Sequence, residues 1–198
     1  VYYAQPLLDA MAEAFAMEPA TIGIVVTLTQ VGYGVGLLLL VPLGDLLNRR
    51  RLIVTQTVLS ALALLTIALA PNSVWLLIGM TLTGLLAVVT QVLVAYAATL
   101  AIAAQRGRVV GVVTSGIVVG ILLARTVAGG MTDLAGWRSI YLLSAGLTLV
   151  MALLLFRVLP RQEQAQPASS YGALIGSVFT LFREEPVLRQ RAVLALLT

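Results

Sequence analysis

Arg125 stands alone in an otherwise uncharged run, Val109 to Gly130, and Asp9 stands in another apolar stretch near the start of the chain. A guanidinium or carboxylate in such surroundings must find a counter-charge, because an isolated ion in hydrocarbon is costly. Two readings of Arg125 are open. It snorkels to the outer headgroups, or it faces a cavity as a buried cation paired with a carboxylate or an anionic substrate. Asp9 lies at a matching depth and is the natural partner; the alternative is a wet vestibule carboxylate. Glu13, one turn further out on the same helix face, reads as solvated. Tyr2, Gln5, Thr27, Gln30, Tyr33, Gln91 and Tyr96 also fall within apolar runs, where neutral donors and acceptors link helices or bind a ligand. The second charged constellation is the run Gly44-Asp45-Leu46-Leu47-Asn48-Arg49-Arg50-Arg51. It either marks one membrane face or forms a charged contact that opens and closes there. No nucleophile–base pair or phosphate-binding loop is visible, and with no Cys and no His the thiol and zinc chemistries are excluded.

The elements holding these residues follow from hydropathy. The chain is 60% hydrophobic and 10% charged, with a mean hydropathy of +1.04, whereas a soluble domain carries about a quarter charged residues. All twelve basic residues are Arg. They cluster in connections and lack the aromatic-studded basic face of a nucleic-acid binder, so no nucleic-acid partner is expected despite the net charge of +4. A span needs about 20 apolar residues. Val1 to Phe15 reads as the outer end of a first span, Thr21 to Leu43 as the second and Leu52 to Ala70 as the third. Val74 to about Ala103 holds the fourth, Val109 to Gly130 the fifth and Ser139 to Phe156 the sixth. The turns between them are Met17–Ala20, Gly44–Arg51, Pro71–Ser73, Gln105–Arg108 and Met131–Arg138. Ten of the twelve arginines fall in the turns after spans two and four and in the segment after span six, which places those parts in the cytoplasm. The chain reads as a piece of a longer protein.

Past the sixth span, Gln162 to Ser170 is a polar linker. Tyr171 to Glu185 then places Leu174, Ile175, Val178, Phe179 and Phe182 on one stripe, as in a helix lying in the membrane interface. Pro186 ends it, and Val187 onward approaches a seventh span. The expected division is therefore residues 1–156 as a membrane bundle with a truncated first helix, 157–186 as a cytoplasmic linker, and 187–198 as the start of the seventh span.

Six short-looped spans, a linker with a surface helix and a new span resemble the first half of a major facilitator superfamily transporter, over essentially the whole chain. The turn after span two is similar to the family pattern Gly-x-x-x-Asp-Arg/Lys-x-Gly-x-Arg/Lys-Arg/Lys, matched at Asp45, Arg50 and Arg51. It departs at Val41, Leu46 and Asn48, where Asn tolerates the left-handed backbone that Gly would supply. The stretch Tyr2-Tyr3-Ala4-Gln5-Pro6-Leu7-Leu8 looks like that of a bacterial drug- or sugar-efflux branch. The fourth-span pattern Arg-x-x-Gln-Gly would fall on Met80 to Gly84, without its Arg. The fifth-span antiporter pattern keeps Gly111, Gly120 and Gly129 but has Arg125 at its Pro.

The resemblance implies an all-α polytopic membrane bundle: six transmembrane helices as two inverted three-helix repeats, half of a twelve-helix protein of the bacterial inner membrane. It implies a secondary transporter, an ion-coupled exporter working by alternating access, with no enzymatic activity and no cofactor or metal. Its partners would be a small-molecule substrate, coupling protons, the lipid bilayer and the C-terminal half of the same chain. Asp45 with Gly44, Arg49, Arg50 and Arg51 would form the conformational gate. Arg125, Asp9, Gln5, Gln91, Tyr33 and Tyr96 are the substrate or coupling candidates. Gly32, Gly36, Gly116 and Gly120 would let helices approach closely. A transport-inactive membrane receptor or assembly subunit of the same fold is the alternative; it would need no gate at Asp45.

Overall fold

A computed structural model describes residues 7–17, 19–160, 171–172, 176 and 180, without the side chains of residues 9, 19–22, 45 and 133. Every described element is a helix: α1 (Leu8–Ala14), α2 (Pro19–Leu46), α3 (Arg49–Ala68), α4 (Ser73–Leu86), α5 (Val89–Leu100), α6 (Arg106–Ala135) and α7 (Trp137–Val158). Helices are what a chain with this hydropathy must form, since they alone satisfy the backbone within one segment in hydrocarbon. Five stretches are long and apolar enough to cross a bilayer: Gly23–Gly44, Arg49–Ala68, Ser73–Leu100, Ala103–Thr132 and Trp137–Val158. Gln5 and the rest of residues 1–6, and the linker stripe at residues 174, 175, 178, 179 and 182, lie outside the described residues.

The connections are shorter than the residue types suggest. Gly44, Asp45 and Leu46 remain in α2, and Arg49, Arg50 and Arg51 are already the first turn of α3, so the charged turn shrinks to Leu47 and Asn48. Asn48 does not enter the left-handed region, since its φ is −58°. It is an N-cap instead, its side chain accepting the Arg51 N–H at 3.2 Å. Likewise Arg106 to Arg108 open α6 rather than forming a turn. The predicted turn at Met131–Arg138 contracts to Gly136 alone, whose φ of +75° only glycine adopts without strain. Nothing from Met131 to Ala135 breaks a helix, so α6 runs on.

Small residues set the packing. Along α2 the stripe Val25, Thr29, Gly32 and Gly36 is buried and lies against α4. A Cβ on Gly32 would stand 2.5 Å from the Thr81 carbonyl oxygen, and one on Gly36 would collide with the Leu85 carbonyl. From the other side, Gly84 admits the Thr29 carbonyl, and Gly79 admits Ile67 of α3. Gly116 and Gly120 of α6 differ: a Cβ there would meet nothing within 4 Å.

The most extensive pairing is α3 with α7, and arginines clamp it at both ends. Arg50, in the first turn of α3, donates to the Phe156 carbonyl near the end of α7 and lies 4.7 Å from the Phe156 ring centroid. Arg138, in the first turn of α7, donates to the Ala70 carbonyl just past α3 at 3.0 Å and stacks over the Trp137 and Phe15 rings. A cation opposes the dipole of the helix it begins. Here each one satisfies an orphan carbonyl at the negative end of an antiparallel neighbour. The two helices are the third members of the two expected repeats, and the clamp is reciprocal.

Two apolar cores lie along the bundle. The larger joins Leu7, Met11, Val25, Leu64, Ile67, Leu76, Met80, Trp137 and Tyr141 at the Arg138 end. Met80, where the family pattern has Arg, is thus a packed core residue. The smaller joins Leu52, Ile53, Val92 and Tyr96 at the arginine-rich end.

Candidate functional site

Three membrane-crossing segments meet at their midpoints around a cavity of about 300 Å³. Its lining comes from Gln30 and Tyr33 of α2, Ala87, Thr90 and Gln91 at the junction of α4 and α5, and Ile117 and Ile121 of α6. Tyr33 is at the centre of Pro19–Leu46, Ala87 at the centre of Ser73–Leu100 and Ile121 at the centre of Arg106–Ala135.

The fourth span, Ser73–Leu100, carries a tightened turn at Ala87 and Val88 between α4 and α5. Ala87 N–H is shared between the Thr83 carbonyl at 3.0 Å and the Gly84 carbonyl at 3.2 Å, and Gln91 N–H bonds to Val88 O at 2.9 Å. These i→i+3 bonds tighten the backbone between α4 and α5. No Pro or Gly occupies Ala87 or Val88; three residues earlier, Gly84 lies close against the Thr29 carbonyl of α2. The tightened turn presents Thr90 and Gln91 to the cavity, and the Gln91 amide donates to the Tyr33 hydroxyl at 3.2 Å. That hydroxyl keeps its own proton to donate. The arrangement offers amides, a phenol and a threonine hydroxyl on one side and aliphatic isoleucines on the other.

Of the residues singled out by type, Tyr33 and Gln91 come together here, joined by Gln30. Tyr96 does not line the cavity; it is buried in the smaller core with Leu52, Ile53 and Val92. Arg125 is exposed on α6, one turn outward from Ile121 on the row Ile117, Ile121, Arg125. Because α6 continues to Ala135, Arg125 lies ten residues from its outer end, about 15 Å along the axis, and so deeper than a helix ending at Gly130 implies. Asp9 belongs to α1, but its side chain lies outside the described residues, as does Gln5. Thr90, Ile117 and Ile121 escape sequence reasoning, since an aliphatic pair four apart in an apolar run has nothing to mark it.

At the arginine-rich end, Asp45 occupies the last turn of α2, with its side chain outside the described residues. A carboxylate there faces the negative end of the helix dipole and gains from neighbouring cations. Arg49 donates through Nε to the Gly44 carbonyl at 3.0 Å and through Nη1 to Thr99 Oγ1 at 3.3 Å. It thereby ties the ends of α2 and α5 together, with Arg50 and Arg51 following in the same turn.

Comparison with known proteins agrees with this architecture. The family profile of the Major Facilitator Superfamily matches residues 1–198. The chain is 48% identical over 197 residues, all of its own length, to the uncharacterized transporter YgaY of Escherichia coli O157:H7, covering 50% of that protein. It is 32% identical over 193 residues to the transporter SCO4007 of Streptomyces coelicolor, covering 98% of this chain and 45% of the other. It is 26% identical over 170 residues to the inner membrane transport protein YnfM of Escherichia coli K12, covering 85% of this chain and 41% of the other. The chain thus spans about half the length of the curated relatives it matches. A multi-pass bundle of apolar helices and a profile match from end to end lead to one assignment: this chain belongs to the Major Facilitator Superfamily of membrane transporters.

Proposed function

We propose that this chain forms one wall of a secondary transporter that moves a small amphiphilic molecule, neutral or anionic, across the bacterial inner membrane by alternating access. The observation that carries the proposal is the cavity at the shared midpoint of α2, the α4–α5 junction and α6. The tightened turn in the middle of the membrane-length stretch Ser73–Leu100 sets Thr90 and Gln91 against the cavity without opening backbone to lipid. The rest of the polypeptide supplies the opposite wall, and α6, with its open glycine face at Gly116 and Gly120, is the surface that meets it. Export is the direction that the resemblance of the opening stretch favours.

The test is substrate flux through the intact protein in cells lacking their own exporters. Tyr33→Phe and Gln91→Ala each remove a donor from the cavity and should each lower flux about tenfold, the size of one lost polar contact of ~1.4 kcal/mol, at unchanged membrane abundance. Wild-type flux in both would overturn the site.

Asp45 serves the gate in this proposal. With Arg49, Arg50 and Arg51 beginning the next helix, its carboxylate completes a charged contact against the other half, closed in one state and broken in the other. Asp45→Asn should shift that equilibrium by about 1–3 kcal/mol, and transport should fall far more than expression. A mutant that transports normally would leave the charged run with a topological role alone.

A further inference from the structure

We infer that the intact protein binds the phosphate headgroup of an anionic phospholipid in the leaflet next to the α3–α7 clamp, the side that the arginine distribution assigns to the cytoplasm. A second cavity, of about 530 Å³ and opening outward, lies there between the start of α3 and the end of α7. It is lined by Arg50, Phe156, Arg157, Val158, Leu159 and Pro160. Two guanidiniums from different helices therefore border one space. Arg50 has the Phe156 carbonyl and ring for partners but no carboxylate among the described residues, and its Nε is buried there without an acceptor. Arg157 is exposed, and Arg51 adds a third positive charge in the same first turn of α3. Among the described residues the site is cationic, with no carboxylate lining it.

The surroundings select a lipid over a soluble anion. Leu149, Leu153 and Phe156 are exposed on α7 at i, i+4 and i+7, so they form one apolar stripe of about 10 Å that leads along the membrane to the cavity mouth. A phosphodiester in the cavity would place its acyl chains on that stripe, and basic recesses between helices at this level hold acidic headgroups in this way. Because Arg50 also holds α3 to α7, the bound lipid would complete the clamp rather than decorate it.

The experiment is a titration of spin-labelled phosphatidylglycerol against the intact protein in phosphatidylcholine nanodiscs, with spin-labelled phosphatidylcholine of the same chains as reference. Phosphatidylglycerol should be preferred, and Arg157→Gln should weaken its binding about fivefold, the effect of one interfacial charge. Arg157 is exposed and no described contact depends on it, so this variant keeps the fold. Arg50→Gln should do the same, and the double variant should bind the two lipids alike. Excess inorganic phosphate should leave lipid binding unchanged. Equal binding of the two lipids by the unaltered protein would overturn the inference, as would an Arg157→Gln variant with undiminished preference. Displacement of the lipid by inorganic phosphate would show a soluble-anion site instead, and that too would overturn it.

Discussion

Gly84→Ala and Gly36→Ala should each remove most of the folded protein from the membrane, whereas Gly34→Ala should leave it intact. The three substitutions add the same methyl group to similar apolar helices, so propensity cannot separate them; alanine favours a helix by about 1 kcal/mol over glycine at every such site. Space separates them. At Gly84 the new Cβ would overlap the carbonyl oxygen of Thr29, and at Gly36 that of Leu85, while at Gly34 it would meet nothing within 4 Å. Both blocking atoms are backbone, which cannot turn aside as a side-chain tip can. Helices α2 and α4 would have to separate along their full contact, and overpacking of this kind costs ~1–3 kcal/mol or more per site. Separation would also release the tightened turn at Ala87 and Val88 and dismantle the cavity beneath it. Detergent-solubilised melting of the intact protein checks the contrast: Gly34→Ala should melt at or slightly above the wild type, and the other two well below it. Equal melting of all three would show that the α2–α4 contact is looser than the Gly36 and Gly84 positions indicate.

The same contrast shows what was legible in the sequence. Span positions and the charge asymmetry follow from hydropathy and arginine counts, which depend on composition over about 20 residues and survive any detail of packing. Helix ends are decided by a few local bonds. The Asn48 cap could have been read from an Asn preceding a helical run, but the arginines that follow suggested a turn because charges at the end of an apolar span mark a membrane face. Their compensation comes from carbonyls such as Phe156, far away in sequence. Gly32, Gly34 and Gly36 look alike on paper, and only the register of α2 against α4 tells which two are essential. The tightened turn between α4 and α5 has no Pro or Gly of its own to mark it. For the cavity, Tyr33 and Gln91 stand out as polar groups within spans, while Ile117 and Ile121 become meaningful only once α6 is placed beside them. Tyr96 was an equally good candidate by type and turns out to be core.

Arg125→Ala should abolish transport by the intact protein while leaving its abundance in the membrane near normal. Arg125 sits about 15 Å from the C-terminal end of α6, inside the long apolar stretch Ala103–Thr132. It follows Ile117 and Ile121 at four-residue intervals, one turn above the cavity they line. The fourth-span position where the family pattern carries Arg is Met80, a member of the larger apolar core with Leu64 and Ile67, whereas Arg125 stands on α6. A guanidinium at that depth is retained for a counter-charge. We propose that Asp9 of α1 or an anionic group of the substrate supplies it. Arg125→Lys should restore little, because an ammonium cannot grip a carboxylate with two parallel bonds. If Asp9 is the partner, Asp9→Asn should damage transport in the same direction, and the double variant should be less than additive. Removing one member of a buried pair strands the other, so each single variant should be the worse for its orphan. Additive losses would assign Arg125 to the substrate rather than to Asp9. Wild-type transport by Arg125→Ala would mean that the side chain reaches the outer headgroups and serves only to anchor α6.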